Sequence, residues 1–254
     1  MAWKLILHSF NMIFGNLAEA LKVSVGPILV GLLLIGLSFL GFGLNFEFLS
    51  EMEQGSSANT GAAFLFVLLA IIIMTVVFAW IAVAWHRFVL LEQYPGILPA
   101  FRGQPIGAYI GRTLVLSLLI ALVVFALAFV IGLLTALTAS MGLAIFLGVG
   151  LGFVVSYLWL RIGLVLPATA LREPLKVSES MAATKPMAGT IFGVSAILAI
   201  LNFLISLIIG QVYNFAGIIA FVLDVAANWV FIMVGISILT TLYGHLIEKR
   251  PLID

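Results

Sequence analysis

The fold is decided by TLVLSLLIALVVFALAFVIGLLTALTASMGLAIFLGVGLGFVVSYLWLR, Thr113 to Arg161. Between Arg112 and Arg161 the chain carries no charged side chain at all. About 20 apolar residues cross a hydrocarbon core of about 30 Å, so a stretch of this length holds two crossings. ASMG (Ala139–Gly142) supplies the small and polar residues of a tight turn between them.

The same ruler applied outward gives six spans: Gly26–Phe46, Ala62–Trp85, Thr113–Thr138, Gly142–Leu160, Met187–Gly210 and Ile218–Tyr243. The composition agrees, with 64% hydrophobic and 8% charged residues, which is outside the range of soluble domains. The expected architecture is an all-α polytopic membrane protein of three helical hairpins. Its domains are an interfacial amphipathic helix over 1–25, a six-helix transmembrane domain over 26–243 and a cytoplasmic tail over 244–254.

The helix over 1–25 rests on periodicity. Trp3, Ile6, Leu7, Phe10, Ile13, Phe14, Leu17 and Leu21 recur at helical spacing, with Lys4, His8, Asn11, Asn16, Glu19 and Lys22 on the other side. Such a pattern suits a helix lying in the membrane surface. A signal peptide is not expected, because His8 interrupts the apolar run and no small-x-small cleavage site follows.

Charge placement orients the chain. Six crossings put both termini on one side, with the loops Arg87–Arg112 and Arg161–Pro186. All 11 lysines and arginines fall there, whereas the longest opposite loop, Asn45–Gly61, carries Glu47, Glu51 and Glu53. Short loops rich in Lys and Arg stay cytoplasmic, so both termini are expected inside.

Spans two, four and six end in aromatic-x-basic triplets: Trp85-His86-Arg87, Trp159-Leu160-Arg161 and Tyr243-Gly244-His245. QPIGAYI (Gln104–Ile110) and KPMAGTI (Lys185–Ile191) precede spans three and five, so a threefold hairpin repeat and a recurring membrane edge are both open readings. Trp85, Arg87, Trp159, Arg161 and Tyr243 are expected as anchors at the headgroup level. Ile162–Leu171 then runs kinked along the surface or packed between hairpins, with Pro167 breaking the helix. The alternative places Arg161 in a protein-lined cavity, paired with Glu92 or Glu173.

Few groups could carry chemistry. Asp224 is the only acidic residue within a span, and Asn228 stands at i+4 on the same face. Asn202 and Gln211 lie in the fifth span. These four could line a path for a proton or cation, or could serve interhelical hydrogen bonding and the outer interface. Gly103, Gly107 and Gly111, Gly148 and Gly152, and Gly189 and Gly193 repeat every four residues, the spacing that lets helices approach closely. GVGLG (Gly148–Gly152) has no strand before it and is not a nucleotide loop.

No cysteine is present, His8, His86 and His245 are isolated, and no nucleophile elbow or paired-carboxylate site occurs. No enzymatic activity, metal or cofactor is therefore expected.

The segment from Arg161 through Pro167, Ala168, Glu173, Ser178, Ser180 and Thr184 to Lys185 resembles the YciC-type group of bacterial inner-membrane proteins. It is also similar to the membrane region attached to some glycerophosphodiester phosphodiesterases, whose catalytic barrel has no counterpart here. The resemblance implies a bacterial cytoplasmic-membrane location and transfers no catalytic residue.

The composition leaves three functional classes. The leading one is a non-enzymatic scaffold, assembly factor or accessory subunit, with membrane lipids and either a second copy or other membrane proteins as partners. The others are a small-solute transporter or channel using Asp224 and Asn228, and a protein that binds or handles anionic lipid. A net charge of +1 gives no sign of nucleic-acid binding.

Overall fold

The computed structural model describes residues 1–44 and 60–251. The three glutamates expected in the 45–61 loop lie outside the described residues. Helices account for nearly all of the described chain, and no strand occurs among the described residues. They are α1 (Ala2–Gly15), α2 (Leu17–Gly41), α3 (Thr60–Leu91), α4 (Ile106–Thr138), α5 (Met141–Ile162), α6 (Val165–Leu171), α7 (Val177–Ala183), α8 (Ala188–Tyr213) and α9 (Gly217–Leu246).

Six of these are long and apolar enough to cross a membrane: α2, α3, α4, α5, α8 and α9. They pair as the hairpins α2–α3, α4–α5 and α8–α9, and α5 packs on α8 to join the second hairpin to the third. This is the expected architecture.

Two boundaries differ from the sequence expectation. The stretch 1–25 is two helices, broken at Asn16, whose side-chain amide leaves the helical pattern to donate to the Met12 carbonyl at 2.8 Å. Ser and Asn side chains compete with the backbone in this way and favour helix ends. Residues 17–25 therefore belong to the first span. The 244–254 tail begins inside α9, and Arg250 returns to donate to the Leu90 carbonyl at 2.7 Å.

Helix α1 has three faces. Leu5, Ser9 and Ile13 are buried where it packs on α8 and α9. Trp3, Leu7, Phe10 and Phe14 form an adjoining exposed apolar stripe, and Asn11 is exposed on the remaining side. Ile6 and Ile13, which the sequence grouped with that stripe, turn into the protein.

The helices also outrun the hydrocarbon core. At 33 residues α4 is about 50 Å long. Burial is confined to one end of it: Ile106, Tyr109, Leu116 and Ile120 are buried, while Phe125, Phe129 and Leu137 are exposed. In α9 the buried run is Met233–Val234 and Ser237–Gly244, again toward the basic end. The core thus occupies the basic half of the bundle.

Candidate functional site

Trp85, His86 and Arg87 fall inside α3, which continues four residues past Arg87. Trp85 is fully buried, and its indole N–H donates to Ser237 Oγ on α9 at 2.9 Å. Tyr243 is 1% exposed, and its hydroxyl donates to Glu173 Oε2. A belt aromatic must face the headgroups, so Trp85 and Tyr243 are core residues and not interface anchors. Trp159 is half-buried on α5.

His86 is not isolated. Its Nδ1 lies 2.8 Å from Thr240 Oγ1, and its Nε2 lies 3.3 Å from the Tyr109 hydroxyl. The Thr240 hydroxyl already donates to the Ile236 carbonyl, so it accepts from Nδ1–H and Nε2 accepts from Tyr109. One tautomer satisfies three helices at once. No sequence spacing announces this, because the partners lie on α4 and α9.

Gly163 breaks α5, and the seven residues of α6 turn inward with Val165, Leu166, Pro167, Ala168 and Ala170 buried. Helix α6 touches α3, α4 and α9, so the packed arrangement of the two expected for Ile162–Leu171 is the one formed. Arg87 holds α6 in place by donating from Nη1 to the Ala170 carbonyl at 2.7 Å.

Arg161 stands one residue before the end of α5. Its Nε donates to Thr184 Oγ1 at 2.9 Å, Nη1 to the Tyr157 hydroxyl at 2.8 Å, and Nη2 to the Met181 carbonyl at 3.1 Å. The Ser180 hydroxyl closes the ring by donating to the Arg161 carbonyl at 2.9 Å. Arg161 is therefore a clamp on α7. It has neither Glu92 nor Glu173 as an ion-pair partner, and Glu173 is taken by Tyr243.

The candidate polar residues divide. Asn228 Nδ2 donates to the Asp224 carbonyl at 2.8 Å and to Oδ1 at 3.0 Å, so that pair closes on its own helix. Asn202 instead lines a groove of about 500 Å³ between α5, α8 and α9, with Gly148, Gly152, Ser156, Ser206 and Phe231. Asp224, Asn228 and Gln211 do not line it.

The glycines divide too. A Cβ at Gly107, Gly111, Gly148, Gly152 or Gly189 would meet nothing within 4 Å, so these make no close helix contact among the described residues. Gly103 has a φ of +75° and serves a turn outside any helix. Only Gly193 of the expected set is a close approach, with Ala2 Cβ of α1 at 2.9 Å. The tight contacts fall elsewhere: Gly31 on Val77 at 2.7 Å, Gly26 on Leu98 at 2.7 Å, and Gly163 against the Trp159 carbonyl and Leu239.

No metal-binding cluster of His, Asp and Glu occurs among the described residues. No protein-family model matches the chain, and comparison with curated proteins and with solved structures finds no match. Any functional reading therefore stands on these residues alone.

Proposed function

We propose that this chain is a non-enzymatic integral membrane protein, a scaffold or accessory subunit that receives a second membrane component along its open half. One observation carries the reading. The α5–α8 groove opens beside Gly148 and Gly152, where a Cβ would meet nothing within 4 Å, and Asn202 within it is exposed and has no hydrogen-bond partner among the described residues. A carboxamide at span depth favours a polar group on a neighbouring helix, and Gly148 and Gly152 leave room for that helix to approach closely. The basic half, by contrast, holds most of the buried core, and no nucleophile stands beside a base among its described residues.

In this reading the protein sits in a bacterial cytoplasmic membrane with both termini inside, as the distribution of Lys and Arg favours. Helix α1 lies along the inner surface with its Trp3–Phe14 stripe toward lipid. The resemblance of the 161–185 segment to the YciC-type group accords with that location.

The chain has no cysteine, so single cysteines can be introduced without background. Gly148→Cys and Ser206→Cys, oxidised in intact membranes, are expected to capture a partner chain or a second copy. Native extraction into polymer discs followed by mass spectrometry should recover the same assembly. A lone monomer in both experiments overturns the proposal.

A further inference from the structure

The connection between α3 and α4 turns back along α2 and α3, and it is held there at four points. The Tyr94 ring packs edge-on against Phe88 with centroids 5.3 Å apart, and the Phe101 ring packs in the same way on Trp80 at 5.1 Å. Leu98 and the Ile97 carbonyl lie over Gly26 of α2, so close that a Cβ there would meet Leu98 Cδ1 at 2.7 Å. Arg172 donates to the Gly103 carbonyl and fixes the far end.

These contacts set how far the loop climbs. Trp80 lies about 16 Å back along α3 from its end at Leu91, and Gly26 about 14 Å along α2 from its start at Leu17. Lys22 and Arg112, both exposed, lie about 8 Å and about 9 Å from the basic ends of α2 and α4. Exposed cations near span ends mark the headgroup level, so Leu98 and Phe101 reach the boundary between headgroups and acyl chains. Irregular backbone is not tolerated much deeper. Pro95, Pro99 and Pro105 remove three backbone donors that would otherwise need partners there.

The outward surface of this loop is apolar. Ile97 is 93% exposed and Tyr94 76%, with Leu98 and Phe101 about half exposed. Val25 and Leu29, on either side of Gly26 in the chain, are exposed as well, so the loop continues the lipid-facing surface of α2. Arg102 follows Phe101, is exposed, and makes neither a hydrogen bond nor an ion pair among the described residues. An apolar tip with a cation behind it suits the membrane interface. Its rings and aliphatic groups enter the acyl boundary while the guanidinium takes a phosphate oxygen.

We propose that residues 94–101 form a membrane anchor that dips into the leaflet at the basic end of the bundle. Ile97 enters among the acyl chains nearest the headgroups, and Arg102 meets lipid phosphate. The partner is the lipid surface and not a protein. The anchor uses helices other than those of the α5–α8 groove, and it stands or fails independently of the scaffold reading.

The test places an environment-sensitive dye on single cysteines of the full chain, which has none of its own, in discs of phosphatidylethanolamine and phosphatidylglycerol. Ile97→Cys is compared with Phe125→Cys, exposed within α4, and with Ser178→Cys, exposed on α7. The quenchers are iodide in the water and nitroxide lipids labelled at the headgroup, near the top of the acyl chain or near its end.

The dye at Ile97 should emit to the blue of that at Ser178 and lose most intensity to nitroxide near the top of the acyl chain. At Phe125 the loss should be greatest with nitroxide near the chain end, and at Ser178 with iodide. A dye at Arg102→Cys should respond most to headgroup nitroxide. Iodide quenching at Ile97 as strong as at Ser178 overturns the proposal. Protection of Ile97 from both iodide and lipid nitroxide also overturns it, because a partner protein or a second copy would then cover the loop.

Discussion

The two ends of α5 set the halves of the molecule side by side. Gly163, at its C-terminus, is pressed against the Trp159 carbonyl and the Leu239 side chain, whereas Gly148 and Gly152, nearer its N-terminus, face nothing within 4 Å. At the first end Leu160 and Ile162 are buried, and at the other Met141, Ile145 and Phe146 are exposed. The same residue types appear at both ends, so composition does not separate them. Separation comes from the partners: the basic half gathers α1, α6 and α7 around the hairpins, and among the described residues the opposite half has only the hairpins themselves.

The sharpest way to break that contrast is Trp85→Ala. Removing a fully buried indole should lower stability by about 3–5 kcal/mol, read as a loss of thermal stability in detergent, since a cavity and an unpaired Ser237 are both left behind. A change no larger than that of an exposed residue would mean that the basic half is not the stable core. Next comes His86→Leu, which leaves the Tyr109 hydroxyl without its acceptor and Thr240 without the donor it accepts from, and should cost about 1–3 kcal/mol in the same assay.

Gly163→Ala should follow, at about 1–3 kcal/mol, because its Cβ would meet backbone that cannot retreat. Gly152→Ala should shift stability by no more than about 0.5 kcal/mol in the isolated chain. If Gly152→Ala were as damaging as Gly163→Ala in the monomer, the open half would have to be closed by contacts within the chain.

Much of this architecture is legible in the residues. A charge-free run interrupted once by ASMG can only be two crossings, and the six spans, the hairpins and the clustering of cations at one end follow from such runs. What periodicity does not distinguish is a lipid-facing side chain from a protein-facing one. Lipid tails are as apolar as leucine, so Leu116, which is buried, and Leu118, which is exposed, carry the same signal.

The aromatic residues show a related failure. Trp85 beside Arg87 has the pattern of a membrane edge, but α3 continues to Leu91, and the edge pattern lies within packed protein. The hold of Arg87 on the Ala170 carbonyl is illegible for another reason, since 83 positions separate the two and only the inward turn of α6 brings them together.

That inward turn also bears on how the molecule is built. Seven residues made two-thirds of the way along the chain find their resting place only against α3 and α4, already synthesised, and α9, still to come. Until α9 has been made, Leu164–Leu171 has one wall missing, and the nascent protein must shelter an apolar plug that α3 and α4 cover only in part. Synthesis of α9 is thus the event that closes the last wall around this segment.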